Sequence, residues 1–218
     1  HEARYRVEGK DAMDFLNEMV TADISEIDVR QTKFAYLCND RGGIIDGVMV
    51  YRDASYYLLL GSGTTRLQTL EWLEEHAARK SHLEVKVVDV TQAQGQIELI
   101  GPGSAAILER LIFGQPLNLD PGFATVATLD QARCLVIRRL GDVYDIITGM
   151  VYIQPIWEKI IEVARAAGSR PVGFAAREIL RLESGFPQYG LEIDEDTTPL
   201  EIGQSSAVDF RKTQFIGR

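Results

Sequence analysis

Cysteine and histidine are scarce here: the 218 residues hold two of the first and three of the second. Cys38 and Cys134 stand far apart, and no CxxC or Cys/His spacing accompanies them. That leaves a zinc site or a disulfide framework nothing to build on, and no metal is expected. No apolar run approaches the length needed to span a bilayer. No signal peptide is visible, so the cytoplasm is the expected compartment. Positive charge is also in deficit. Lys plus Arg number 23 against 32 Asp plus Glu, a formal net charge of −9. Such a chain repels phosphate backbones and anionic headgroups, so neither nucleic acid nor a membrane is an expected partner. Neither GxxxxGK[ST] nor GxGxxG occurs, and Gly101-Pro102-Gly103-Ser104 reads as an ordinary strand–helix turn.

What is present is ordinary globular material, 45% apolar and 25% charged. The length suits roughly one to two domains. Residues 10–20 place Ala12, Phe15, Leu16 and Met19 at helical spacing, with Asp11 as the candidate N-cap. Residues 34–38 and 44–51 read as strands joined by the hairpin loop 39–43, and 56–61 as a third strand. Residues 65–79 read as a helix burying Leu67, Leu70, Trp72 and Leu73, and 83–90 as a strand. The order then repeats: strand 96–100, helix 104–113, hairpin 133–140 with 143–148, and helix 154–168 closed by Gly168. Short hairpins exclude an all-parallel sheet. The expected class is α+β, two ferredoxin-like antiparallel lobes with helices on one face. The lobes span approximately 1–90 and 91–170, with 171–218 packing across both. Residues 174–185 read as one more helix. The remainder to 218 is irregular, and further protein is expected after it.

Several residues invite a functional reading. Arg177 and Arg181 share a helix face and need carboxylates or an anion opposite them. Glu178 and Glu183 are the structural candidates, and a carboxylate or pterin-type ligand the functional one. Asp46 is a carboxylate in an apolar strand, either the outward member of an alternating pattern or a site residue. His76 and His82 read as surface histidines. Glu192, Asp194, Glu195 and Asp196 read as a solvated acidic loop without calcium-loop spacing.

Longer stretches carry a resemblance. VEGKDAMDFLNEMVTADI (7–24), NDRGGIIDGVMVYR (39–52), LIGPGSAAIL (99–108), PVGFAAREILRLESGFPQYGLEIDEDTTPLEIG (171–203) and VDFRKTQFIGR (208–218) together resemble the folate-binding region of the glycine cleavage T-protein family, the aminomethyltransferases. The 171–203 block is the most specific.

The resemblance implies two α+β lobes around a tetrahydrofolate site, followed by a C-terminal barrel that lies outside this sequence. It implies tetrahydrofolate-dependent one-carbon transfer, with a lipoyl carrier protein as partner if aminomethyl transfer is the reaction. Folate-binding positions carried over are Tyr57, Asp145, Arg177 and Tyr189. Asp145 stands where the family has Glu, and a carboxylate suits the paired donors of the pterin edge. The family's catalytic Asp is the second of an Asp-Asp pair, which reads Asp46-Gly47 here. Asp46 is therefore the neighbouring catalytic candidate, on the opposite strand face unless a bulge re-aims it. The family's Arg-Thr-Gly-Tyr-Thr-Gly-Glu loop shortens to Arg139-Leu140-Gly141-Asp142. The Asn expected after the third strand is Gly61 or Ser62. The alternative implied by these departures is a folate-binding homologue without catalysis.

Overall fold

The computed structural model describes residues 2–112 and 117–218. They divide into two compact units. The first comprises residues up to Thr91 together with Arg181–Arg218, and the second is Gln92–Leu180.

The first unit runs β1 (Glu2–Glu8), α1 (Ala12–Met19), β2 (Thr32–Cys38), β3 (Ile44–Arg52), β4 (Tyr57–Ser62), α2 (Arg66–Arg79) and β5 (Lys86–Asp89). The sheet order is β2-β3-β4-β1-β5, with every neighbouring pair antiparallel. Strands β3-β4-β1-β5 with α1 and α2 form the ferredoxin-like pattern of two split βαβ crossovers. Strand β2 widens the sheet at one edge. The sequence reading assigned no strand before residue 10. Yet β1 alternates cleanly, with Ala3, Tyr5 and Val7 buried, and it sits between β4 and β5.

One sheet face carries both helices. Ala12, Phe15, Leu16 and Met19 of α1 and Leu73 of α2 pack there against Ala3, Tyr5, Val7, Val48, Val50, Tyr57 and Leu59. Of the expected α2 row, Leu73 is buried and Leu70 and Trp72 pack half-buried against the core, while Leu67 is exposed and Thr69 and His76 are buried in its place. His76 is correspondingly interior. Its Nδ1 lies 2.8 Å from the Trp72 carbonyl oxygen and its ring lies against the Trp72 indole. Asp11 precedes α1 but does not cap it, because its carboxylate accepts the Glu84 N–H at 2.7 Å.

The second unit repeats the order: β6 (Gln94–Ile100), α3 (Ser104–Leu111), β7 (Ala124–Leu129), β8 (Ala132–Arg138), β9 (Val143–Gly149) and α4 (Met150–Ala166). Its antiparallel sheet runs β6-β9-β8-β7. This order matches the first four strands of the other sheet, with no strand after α4 among the described residues. Leu108, Ile156 and Ile160 pack on one face against Ile97, Val136, Tyr144 and Ile146. Helix α4 starts four residues earlier than its spacing predicts and carries Pro155 inside it. The predicted end of α3 at Phe113 lies outside the described residues. Helix α5 (Phe174–Glu183) follows, and the unit boundary falls within it.

Residues 181–218 belong to the first unit, and after α5 ends they have no regular structure beyond a single 3-10 turn. They cover part of the sheet face that lacks helices, where Ile193 and Ala207 pack with Tyr36, Cys38 and Ile44. Contact with the 39–43 loop is backbone to backbone. A Cβ at Gly43 would lie 1.7 Å from the Glu195 carbonyl oxygen, and one at Gly217 would lie 2.7 Å from that of Asn39. Only glycine permits these approaches. The Ile44 N–H donates to the Thr197 carbonyl at 2.9 Å, and Asn39 Nδ2 donates to that of Glu195 at 2.8 Å.

Lys212 secures the far end. Its buried ammonium donates to the carbonyls of Val20 (2.6 Å) and Ala22 (3.0 Å), and also to that of Asn17. These are carbonyls at and just beyond the C-terminus of α1, where four acceptors lack helical partners and the dipole favours a cation. Burial pushes the Lys212 pKa down to about 8. Lys212→Met removes all three bonds and leaves buried acceptors unpaired, costing about 3 kcal/mol. The thermal midpoint should drop by roughly 6–12 °C in calorimetry. Arg211→Ala, at an exposed position beside it, should leave the midpoint nearly unchanged.

Candidate functional site

In the second unit, polar side chains gather on the sheet face opposite α3 and α4. Gln96 and Glu98 of β6 and Asp145 of β9 share this face, and Glu98 and Asp145 are direct cross-strand partners. Like charges placed so repel unless cations intervene. Two do. Arg139 Nε donates to Asp145 Oδ2 at 2.5 Å, and Arg177 Nε donates to Glu98 Oε2 at 3.1 Å. Gln96 Nε2 donates to Asp145 Oδ1 at 2.9 Å.

The shortened loop explains the position of Arg139. Its N–H donates to the Val143 carbonyl at 2.9 Å, closing a tight turn in which Gly141 takes φ +75. The arginine therefore stands at the hairpin stem, six residues from the carboxylate that it meets. Asp145 is fully buried, whereas the Glu98 side chain keeps 19% of its surface. Both arginines of α5 reach carboxylates outside their own helix. Arg177 meets Glu98, and Arg181 donates to Glu192 Oε2 at 2.8 Å. The structure thus places Asp145 beside the carboxylate that Arg177 meets, on one sheet face. Sequence reasoning missed that carboxylate, Glu98. Its signal was available, since a lone Glu alternates with apolar residues in QIELI.

In the first unit the candidates separate by face. The β2–β3 register skips at Ile45, so a bulge is present. It turns Ile44 to the tail-covered face and leaves Asp46 on the helix side with Val48 and Val50. Asp46 is not an outward residue; it is 1% exposed. Its carboxylate accepts the Ser62 N–H at 3.1 Å and the Thr69 hydroxyl at 3.2 Å, with Thr65 adding another hydrogen bond. A Cβ at Gly61 would come within 2.5 Å of its Oδ2, so the glycine leaves room for the carboxylate. Asp46 thereby ties β3 to the turn that starts α2.

Gly47 faces the other way. A Cβ there would sit 3.0 Å from Phe34 Cζ and 3.2 Å from Tyr36 Cε1. Those rings meet edge to face, with centroids 5.1 Å apart, over the position. Tyr189 packs at the same aromatic cluster, and burial raises its phenol above the usual value, with Gln68 and Glu195 as hydrogen-bond neighbours. Tyr57 lies on the helix side in the core and is 7% exposed. Within the first unit, Tyr189 therefore shares a face with Gly47, while Asp46 and Tyr57 share the opposite one.

Other acidic groups have partners. Asp196 pairs with Arg41 at 3.1 Å, and Glu195 accepts from Gln68 at 2.5 Å. Among the described residues, Asp23, Glu26 and Asp209 bring three carboxylates within 4.8 Å of one another. Arg211 and Lys33 sit beside them. Among the described residues no helix is long and apolar enough to cross a membrane.

Burial raises the Asp46 pKa to about 7, from an unfolded value near 3.9. Between pH 4 and 7 the folded state then holds a proton that the unfolded state has released. Stability from this group is present below pH 4 and lost as pH rises through 7. Asp46→Asn removes that loss. In urea titrations its stability relative to the unmodified protein should rise from pH 5 to pH 8, by on the order of a few kcal/mol. A pH-independent difference would contradict this.

The comparisons with known proteins agree with the geometry. The family model of the GCVT N-terminal domain matches residues 1–212. The aminomethyltransferases of Alkaliphilus oremlandii (strain OhILAs) and Thermoanaerobacter sp. (strain X514) are 32% and 31% identical over the whole chain, which covers 60% of each. The glycine cleavage system aminomethyltransferase T from Bartonella henselae matches at a TM-score of 0.87 and 27% identity, over 100% of this chain and 59% of that one. A heterotetrameric sarcosine oxidase from Corynebacterium sp. U-96 shares the fold at a TM-score of 0.54 and 14% identity, over 79% of this chain and 84% of that one. The chain thus spans about 60% of the length of the curated relatives it matches. With two antiparallel α+β units, the expected turn chemistry and a family match over nearly its whole length, the chain belongs to the GCVT N-terminal domain family.

Proposed function

We propose that this chain is the tetrahydrofolate-binding part of a one-carbon transferase of the aminomethyltransferase type, working in the cytoplasm. The observation that carries the reading is the face of the second sheet on which Asp145, Glu98 and Gln96 stand beside Arg139 and Arg177. The pterin edge offers an amino group and a ring N–H side by side, and a carboxylate accepts two such bonds. The carboxylate acceptors of this face fit that edge. Arginines fix the rotamers of the carboxylates, so little ordering is left for the ligand to drive. Bound tetrahydrofolate would supply the nitrogen that takes up the one-carbon unit. A lipoyl carrier protein would then be the partner that delivers it.

In this reading Arg177 and Asp145 hold the pterin. Tyr189, carried over with them, packs in the aromatic cluster of its own unit. Asp46 acts by holding the β4–α2 turn, and Tyr57 by filling the core.

One observation favours a second reading, a folate-binding homologue without catalysis. Phe34 and Tyr36 crowd the position where the family's catalytic carboxylate would project, and Gly47 offers no group there. Losing that carboxylate removes a general-base or electrostatic contribution while orientation survives.

Anaerobic calorimetric titration of the full-length protein with tetrahydrofolate should give saturable binding near one ligand per chain. Arg177→Ala and Asp145→Ala should each weaken it by about tenfold or more. Unchanged affinity in both variants would refute the pterin assignment. Turnover with an aminomethylated lipoyl carrier selects the transferase, and binding without turnover selects the second reading.

A further inference from the structure

Asp145 and Glu98 are cross-strand neighbours on one face, but they differ in what remains to be offered to a ligand. Both oxygens of Asp145 are engaged inside the protein, Oδ1 by Gln96 and Oδ2 by Arg139, and the residue is fully buried. Glu98 uses Oε2 for Arg177, its Oε1 has no hydrogen bond among the described residues, and its side chain keeps 19% of its surface. Glu98 is also one methylene longer. The resemblance expects a Glu at position 145, and this chain places the shorter Asp there with a Glu directly opposite on β6. Reach toward a ligand has thus passed from β9 to β6.

We propose that Glu98 is the specificity-determining carboxylate of this site: it accepts the amino and ring N–H donors of the pterin edge, with Arg177 holding it. Asp145 is then a positioning residue that keeps Arg139 and Gln96 in place. This inference rests on the folate reading above and changes which residue touches the ligand.

The test compares tetrahydrofolate with its 2-desamino-2-methyl analogue, which lacks the amino donor, by calorimetry on the full-length protein and its variants. The unmodified protein should prefer tetrahydrofolate by about 10–100-fold, the worth of a charge-assisted hydrogen bond. Glu98→Gln, which keeps the shape and loses the charge, should bring the two affinities within about threefold. Glu98→Asp, which keeps the charge and draws it back, should retain part of the preference. Asp145→Asn should weaken both ligands alike and leave their ratio unchanged, which a direct contact would not do. An unaltered ratio in both Glu98 variants, or a ratio that collapses only in Asp145→Asn, overturns the proposal while leaving folate binding standing. Absence of tetrahydrofolate binding by the unmodified, folded protein overturns the folate reading and this inference with it.

Discussion

One buried ammonium group holds the first unit closed. Lys212 reaches the end of α1 from a segment nearly two hundred residues downstream and meets carbonyls that a helix cannot satisfy itself. Around it, glycine-only backbone approaches join the 39–43 loop to Glu195 and Gly217. The irregular tail is therefore a strap, ordered by hydrogen bonds and close packing, not by helix or strand. It covers one side of the sheet face that α1 and α2 leave bare. Everything on that face, including Tyr189 beside Phe34 and Tyr36, depends on the strap being seated.

The second unit solves a different problem. Two carboxylates face each other across β6 and β9, one fully buried and one half-buried. Apolar residues there would pack at lower cost, since desolvating ion pairs offsets much of their attraction. The arrangement persists as two interleaved carboxylate–arginine pairs, with a glutamine as a further donor. Such a cluster costs stability locally and fits a surface that presents fixed charges to a polar ring edge. The first unit, by contrast, has an aromatic cluster of Phe34, Tyr36 and Tyr189 on the face opposite α1 and α2. The two units thus differ in the chemistry of the faces opposite their paired helices while keeping one strand order.

Much of this was legible in the sequence because the signals were local. The 3.6-residue stripe of α1, the hairpins around residues 39–43 and 139–142, and the long 171–203 block all identified themselves. Strand β1 was missed although Ala3, Tyr5 and Val7 alternate, and its central place in the sheet comes from pairing with strands far along the chain. The interior position of His76 depended on the stripe running through Thr69, a polar residue that is buried because it serves Asp46. Strand alternation put Asp46 and Gly47 on opposite faces, and the bulge that was expected to decide the matter turned Ile44 instead. Asp145 and Arg177 emerged from the resemblance; the lone Glu in QIELI was a local signal, but its place opposite Asp145 follows only from the β6–β9 register. No local pattern announces which residue stands opposite another.

The division of the first unit into two stretches, separated by about 90 residues of the second, has a consequence for synthesis. Chains emerge from the ribosome at roughly 5–20 residues per second, and domains fold as they appear. The first sheet and α1 are therefore exposed for several seconds, with the α1 carbonyls unpaired and one sheet face uncovered, before the strap is made. The second unit is contiguous and has all its strands in hand well before then. The nascent chain passes through a state in which the later unit is finished and the earlier one is not. A chaperone that recognises bare sheet surface would find its binding window there.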